Sequence, residues 1–179
     1  MHLRPSAVAI PLLLGLVGLY AGCGPAQSWS SVKEEVRETY PGVRHVSADS
    51  LAAWLASPAT PPLLLDVRTE AEFAVSHLPH ARRIDPDAPD LSFLQDLPPD
   101  TPIVAYCAVG YRASAMAERL GEAGFTNVFN LEGAIFEWAN EGHPVYYDDR
   151  AVQYVHPFNA VWGLFLNKEL RSYTPPPEG

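Results

Sequence analysis

The chain of 179 residues is long enough for one domain of ordinary size together with accessory segments. It is 47% hydrophobic and 18% charged, which is typical of a globular protein with a real core. The formal net charge of −9 provides no basic surface of the kind that binds nucleic acid through its phosphates, so we expect no nucleic-acid partner.

The first 24 residues have the layout of an export signal. Arg4 gives a weakly basic start, and the apolar run over residues 8–20 is shorter than the roughly 20 residues that a transmembrane helix needs. A small pair, Ala-Gly, then precedes Cys23. This ending resembles the lipobox of bacterial lipoproteins, although Tyr20 stands where that pattern usually has an aliphatic residue.

We therefore predict a signal peptide over residues 1–22 and a lipidated Cys23 as the mature N terminus. The protein would then be exported to the cell envelope and held at a membrane through its lipid anchor. Plain secretion and an uncleaved signal anchor are the alternatives. The second and last cysteine is Cys107, which becomes a lone thiol if Cys23 is lipidated. A disulfide between the two cysteines would tie the leader to the loop around Cys107.

After the leader, residues 23–42 are predicted to form a linker and a short helix that Ser31 and Glu34 open as a capping box. Short apolar runs then alternate with helical patterns. The predicted strands cover residues 43–46, 63–65, 83–84, 103–106 and 127–129. The predicted helices begin at Ser47, Thr69 and Arg112, with a short helical turn over 91–97 and a last helix through Trp138. This alternation predicts an α/β fold with a central parallel sheet that helices cover on both faces.

Residues 146–179 are predicted to be a C-terminal extension. Apolar residues recur there at steps of three and four between Val155 and Leu170, which predicts an amphipathic helix docked on the main domain. Contact with a membrane surface or a partner is the alternative. The Pro-rich end, residues 175–179, is expected to be disordered.

The strongest functional signal lies in residues 101–120, where a buried strand is predicted to end at Cys107. The short loop Ala108, Val109, Gly110 and Tyr111 follows, and Arg112 opens a helix. In open α/β sheets, ligands bind at the carboxyl ends of the strands. The unpaired N–H groups and the dipole of a helix N terminus favour an anion, so we expect Cys107 to be a thiolate nucleophile.

The segment 43–145 resembles a single rhodanese (sulfurtransferase) domain. The matching pieces, in order, are residues 65–68, 72–73, 77–81, 106–112, 120–125 and 130–133, followed by Trp138. The resemblance implies a parallel sheet of five strands flanked by helices. It also implies a cysteine that accepts a sulfane sulfur as a persulfide and passes it to a thiophilic acceptor.

The chain departs from the family pattern at a few positions. Ser76 and His80 stand where the family usually has glycine, Ala113 is inserted ahead of Ser114, and Ala134 replaces a common second glycine. These departures concern the shape of local loops. They leave the core of the Cys107 loop unchanged.

The loop itself indicates which chemistry is favoured. Gly110 permits the backbone to turn toward an anion, and Arg112 adds a positive charge able to bind an anionic donor such as thiosulfate. Cysteine phosphatases and arsenate reductases of related layout place five residues between Cys and Arg, whereas four separate Cys107 from Arg112 here. The shorter loop favours a single sulfur over a phosphate. Ala108 stands where thiosulfate-using relatives often carry a basic residue, which predicts weak turnover of thiosulfate.

Other polar residues are assigned supporting roles. Asp66 and Arg68 are expected to pair and shape the edge of the sheet, with a role beside the active loop as the alternative. Tyr111 is expected to line the mouth of the pocket. The six histidines show no metal-ligand spacing beyond the weak pair His77 and His80, so we expect no metal and no cofactor. A dyad of Cys107 with His77 is an alternative that nothing in the sequence positions.

Two hypotheses of different classes follow. The first is a sulfurtransferase of the rhodanese type that uses Cys107, a small sulfur donor, and a thiol, a cyanide-like molecule or a protein as acceptor. The second is a non-catalytic binding module of the same fold at the cell envelope, with a cysteine-dependent phosphatase or arsenate reductase as a further enzymatic alternative.

Overall fold

The central feature of the fold is a parallel sheet. The computed structural model describes residues 28–57, 59–87, 91–175 and 177, so the predicted signal peptide and Cys23 lie outside the described residues. Its strands are β1 (Arg44–Val46), β2 (Leu63–Asp66), β3 (Arg82–Arg83), β4 (Ile103–Tyr106) and β5 (Val128–Leu131). They lie in the spatial order β1-β5-β4-β2-β3, and every neighbouring pair is parallel. The predicted α/β class and five-stranded parallel sheet are confirmed.

Helices cover both faces of this sheet. In the described part of the chain they are α1 (Trp29–Thr39), α2 (Ala48–Leu55), α3 (Glu70–Val75), α4 (Tyr111–Glu122) and α5 (Ala134–Asn140). Successive strand residues point to opposite faces, and Leu64 and Leu65 of β2 accordingly belong to different buried clusters. The cluster with Leu64 contains Trp138 of α5, and the cluster with Leu65 contains Leu120 of α4.

Strand β4 lies between β5 and β2 and is buried along its whole length. Its continuous apolar run fits a strand whose two faces are both covered by helices. The last residues of β2 and β4, Asp66 and Tyr106, are register partners. The residues that follow these two strands therefore meet at the carboxyl edge of the sheet, which is where the sequence predicted a site.

Helix α1 begins one turn earlier than the sequence predicted. The predicted capping box of Ser31 and Glu34 is wrong, because Ser28 caps the helix and Ser31 is its third residue. The Ser28 hydroxyl accepts the Ser31 N–H, and the Ser31 hydroxyl accepts the Ser28 N–H. The extra turn brings Trp29 against Phe165, with the ring centroids 5.2 Å apart. Part of the predicted linker is therefore packed helix.

The C-terminal extension differs most from the prediction. Strands β6 (Val145–Tyr147) and β7 (Arg150–Val152) form an antiparallel hairpin, and two short 3-10 helices, Trp162–Phe165 and Lys168–Leu170, replace the predicted amphipathic helix. Pro157 supplies no backbone donor to a helix, and Phe158 takes a left-handed conformation with φ of 63°, so a continuous helix cannot form.

The extension nevertheless packs on the main body of the protein. Val155 and Leu166 are almost fully buried and belong to the same apolar cluster as Trp138. The predicted docking is therefore observed, although the docked segment is not the predicted helix. The domain boundaries at residues 43 and 145 stay a prediction. No helix in the described ranges combines the length and the apolar character needed to cross a membrane.

Candidate active site

The thiol of Cys107 lies at the start of the loop that joins β4 to α4. Only 2% of the residue is exposed, and its Sγ accepts the backbone N–H of Gly110 at 3.1 Å. A hydrogen bond from N–H to sulfur, together with the N terminus of α4, favours a negative charge on that sulfur. The loop can therefore stabilise a thiolate or the terminal anion of a persulfide.

The first turn of helix α5 forms hydrogen bonds with the Cys107 loop. The N–H of Ile135 donates to the carbonyl of Cys107 at 3.2 Å, and the N–H of Phe136 donates to the carbonyl of Ala108 at 3.3 Å. These are donors that the first turn of a helix leaves unpaired. These two hydrogen bonds fix the backbone of the loop whose Gly110 N–H is directed at the sulfur.

Gly110 is the residue that allows this turn. It caps α4 with φ of 119°, a left-handed conformation that side chains disfavour. A Cβ at this position would lie 3.3 Å from Nδ2 of Asn130. The structure thus gives a local steric reason for the glycine that the sequence singled out.

The guanidinium of Arg112 is engaged by a carboxylate. Its two terminal nitrogens donate to the two oxygens of Glu72 at 2.9 and 2.8 Å, and Glu72 is 1% exposed. Burial disfavours the charge of Glu72, but Arg112 and the hydrogen bonds from Thr69 outweigh it and lower the pKa of Glu72. Burial likewise opposes the charge of Arg112, and the contacts with Glu72 and Cys107 raise its pKa. The role of Arg112 in binding an anionic donor stays a prediction, and this ion pair offsets the charge on which that role depends.

Asp66 and Arg68 form a fully buried ion pair beside the loop. Nη2 of Arg68 lies 2.6 Å from Oδ2 of Asp66 and also donates to the carbonyl of Ser76 at 2.6 Å. Burial opposes the charge of Arg68, but Asp66 outweighs it and raises the pKa of the guanidinium. The hydroxyl of Tyr106 accepts the N–H of Leu78 at 3.0 Å, which ties the same edge together. The expected pairing of Asp66 with Arg68 is thus present, and a direct role in catalysis stays a prediction.

A cavity of about 390 Å³ opens onto Cys107. It is lined by residues from three parts of the chain, namely α1, the segment 107–112 and the C-terminal extension: Glu35, Cys107, Ala108, Val109, Tyr111, Arg112, Phe158 and Trp162. Tyr111 lies in this lining, where the sequence predicted it. Burial and a hydrogen bond to Glu35 raise the pKa of Tyr111 to about 12, so its hydroxyl stays protonated at neutral pH.

The sequence did not predict that three of these residues line the cavity. Glu35 comes from α1, and Phe158 and Trp162 come from the C-terminal extension. The apolar stripe in the extension was the one available signal, but it does not reveal which residues face the cavity. The guanidinium of Arg112 lies 4.9 Å from the centroid of Phe158, so the extension contacts the first turn of α4, directly after the Cys107 loop.

No histidine lines this cavity among the residues that the structure describes. His77 stacks on Phe73 with 4.3 Å between the ring centroids and contacts the carbonyl of Leu78. Elsewhere, Asp49, Glu141 and His143 place three possible ligand atoms within 4.8 Å of one another. Asp49 and Glu141 are exposed, and exposed groups often meet in this way without binding an ion.

Comparison with known proteins identifies the family. Residues 47–141 match the model of the rhodanese-like domain, and because this is more than half of the chain, the protein belongs to that family. A sulfurtransferase from Allochromatium vinosum is 32% identical over 103 residues, which cover 58% of this chain and 94% of the relative. The family and this relative support a function of the sulfurtransferase type.

Two further relatives are longer than this chain. The adenylyltransferase and sulfurtransferase uba4 of Ogataea parapolymorpha is 25% identical over 157 residues, covering 72% of this chain and 40% of the relative. The crystal structure of a thiosulfate sulfurtransferase from Pseudomonas aeruginosa aligns with a TM-score of 0.51 and 30% identity, covering 58% of this chain and 20% of that chain. This chain therefore spans less than half the length of either protein.

Proposed function

We propose that the protein is a sulfurtransferase that moves a sulfane sulfur from a donor to a thiophilic acceptor through a persulfide on Cys107. The observation that carries the proposal is the position of Cys107. Its Sγ accepts the Gly110 N–H at 3.1 Å, and the residue borders an open cavity. A backbone N–H that donates to a nucleophilic sulfur at a helix N terminus is placed to stabilise negative charge that develops there during the transfer.

The transfer takes two steps. In the first, the Cys107 thiolate attacks the outer sulfur of a donor R–S–S⁻ or of thiosulfate. The new S–S bond leaves a Cys107 persulfide, and R–S⁻ or sulfite departs with the electron pair of the broken bond. In the second, an acceptor such as cyanide or a thiolate attacks the outer sulfur, and Cys107 leaves again as a thiolate. The N–H of Gly110 offsets negative charge on the sulfur throughout the cycle.

The other hypotheses fit the site less well. A phosphatase or arsenate reductase must bind a tetrahedral dianion, yet the loop is one residue shorter than theirs, and Glu72 offsets the charge of Arg112. A binding module has no need of a thiol that borders a cavity of about 390 Å³. Unreactive Cys107 toward alkylating agents at neutral pH would favour that module.

The direct test is the formation of thiocyanate from cyanide and a sulfur donor. We expect activity with thiosulfate to be slow and activity with an organic persulfide to be faster. Cys107→Ser should abolish both activities, because a serine hydroxyl cannot form a persulfide and so cannot carry a sulfane sulfur. Cys23→Ser is the matched control and should keep the activity of the catalytic domain. Full activity in Cys107→Ser would rule out the mechanism.

We also propose that the protein is exported and anchored in the cell envelope through lipid on Cys23. The support is the sequence alone, namely the apolar run that ends in Ala-Gly before this cysteine. Cys23→Ser should move the protein from the membrane fraction to the soluble fraction of the envelope. An unchanged membrane fraction would contradict lipidation.

A further inference from the structure

We infer that the cavity at Cys107 selects small organic thiols, and their persulfides, that carry a positively charged group, and disfavours anionic sulfur donors such as thiosulfate. This inference rests on the sulfur transfer proposed above, and it assigns Glu35 as the residue that sets the preference.

The first ground is the charge of the cavity wall. Arg112 is the one cation among the lining residues that the structure describes. Its guanidinium forms two hydrogen bonds with the buried carboxylate of Glu72, so its charge is compensated within the protein. A dianion that entered the cavity would have to compete with Glu72 for the same donors.

The second ground is a carboxylate at the cavity that is exposed to solvent. Glu35 lies on α1 and accepts a hydrogen bond from the hydroxyl of Tyr111. Arg112, the one cation among the described residues that line the cavity, is paired with Glu72, so Glu35 has no counterion of its own there. Counted with the pair of Glu72 and Arg112, the cavity therefore carries a net negative charge, which attracts a cationic ligand and repels an anionic one.

The third ground is the aromatic character of the wall. Tyr111, Phe158 and Trp162 line the cavity, and the rings of Tyr111 and Trp162 lie 5.8 Å apart. Aromatic faces beside a carboxylate form a common binding site for ammonium groups. A volume of about 390 Å³ also falls in the range of cavities for organic ligands, and is much larger than thiosulfate requires.

Sulfur transfer to such an acceptor conserves both atoms and electrons. A cationic thiol R–SH loses its proton to solvent, and its thiolate attacks the outer sulfur of the Cys107 persulfide. The bond between the two persulfide sulfurs breaks, Cys107 leaves as a thiolate, and R–S–SH forms after the proton returns. No oxidant or reductant is consumed.

The test uses three thiols of similar size and different charge: cysteamine, 2-mercaptoethanol and 3-mercaptopropionate. The full protein is loaded with inorganic polysulfide, excess reagent is removed, and the loss of one sulfur atom, about 32 Da, from Cys107 is followed by intact-mass measurement. Each thiol is compared between the native protein and Glu35→Gln at low ionic strength. Because the rate of each thiol is compared between the two proteins, differences among the thiols in thiolate fraction and intrinsic nucleophilicity cancel.

We expect Glu35→Gln to lower the rate of sulfur transfer to cysteamine by about threefold to fivefold, which is the effect of one exposed ion pair. The variant should speed sulfur transfer to 3-mercaptopropionate by a similar factor, and transfer to the neutral 2-mercaptoethanol should change least of the three. High salt should reduce these differences, because it screens exposed charges. The control is Glu34→Gln, which removes a neighbouring exposed carboxylate that does not line the cavity and should change none of the three rates.

Two outcomes would overturn the inference, and they are distinguishable. If Cys107 loads and transfers sulfur but Glu35→Gln leaves the rates of all three thiols unchanged, the selectivity is wrong and the sulfur transfer stands. If Cys107 acquires no sulfur at all, the proposed function fails and the inference fails with it.

Discussion

Arg112 and Glu72 are joined by two hydrogen bonds of 2.9 and 2.8 Å, so the first turns of α4 and α3 are linked beside the Cys107 loop. Glu72 also caps α3, because its carboxylate accepts the N–H and the hydroxyl of Thr69 at 3.0 and 2.8 Å. The arginine that follows the loop therefore holds the site in place, and its charge is only partly available to a ligand.

Glu72→Gln should destabilise the protein by about 2 kcal/mol at pH 7, because it leaves a half-buried guanidinium without its counterion. Since the folded-state pKa of Glu72 is below its ordinary value of 4.5, its stabilising effect is complete above that pH and is lost as the pH falls through the folded-state pKa. The difference between native and variant proteins in urea unfolding should therefore shrink below about pH 4.5. Glu70→Gln, an exposed control on the same helix, should cost under about 0.5 kcal/mol. A difference that grows in acid would contradict this role of Glu72.

Gly110→Ala should lower the free energy of unfolding by about 1–2 kcal/mol and reduce sulfur transfer. The reason is that φ is 119° and the new Cβ would lie 3.3 Å from Asn130. Gly121→Ala is the matched control, since that glycine lies in α4 with nothing within 4 Å of its Cβ position. It should stabilise the helix by up to about 1 kcal/mol. Thermal unfolding and thiocyanate formation measure both effects, and equal behaviour of the two variants would show that the Gly110 conformation is unimportant.

His80→Gly should stabilise the protein by about 1 kcal/mol, because His80 is exposed and has φ of 56°, a left-handed conformation that a side chain disfavours. Ser76→Gly should instead destabilise it, since Ser76 is extended with φ of −172° and gains nothing from glycine. Chemical denaturation of the two variants tests both statements. Loss of stability in His80→Gly would mean that contacts of the side chain outweigh the backbone strain.

Leu166→Ala should cost about 2–4 kcal/mol, because Leu166 is 1% exposed in the core that the C-terminal extension shares with α5. Leu164→Ala, two residues earlier and 73% exposed, is the control and should change the free energy of unfolding by less than about 0.5 kcal/mol. Both are measured by chemical denaturation. Nearly equal values for the two variants would contradict the docking of the extension.

The parts of the site that are local in sequence were predictable. The strand that ends at Cys107, the turn at Gly110 and the helix that follows are specified by neighbouring residues, and the structure has them within one residue of the predicted positions. The departures at His80 and Ala134 were also informative, because both residues have positive φ angles where the resemblance led us to expect glycine.

The parts that depend on distant residues were not predictable. Glu72 and Arg112 are 40 residues apart, and nothing in the sequence around either residue indicates that it contacts the other. The cavity wall joins α1 to the C-terminal extension, which requires the packing of the whole molecule. The predicted helix in the extension was wrong, because that prediction rested on apolar spacing and took no account of Pro157. The left-handed conformation of Phe158 leaves no signal in an apolar stripe.

The most direct test of the central claim is the intact mass of the protein after exposure to a sulfur donor. We predict that a fraction of the protein gains about 32 Da, one sulfur atom, that peptide mapping assigns this gain to Cys107, and that cyanide removes it with formation of one thiocyanate per persulfide. A mass that stays unchanged with thiosulfate, polysulfide and organic persulfides alike, while Cys107 remains a free thiol, would contradict sulfur transfer by this site.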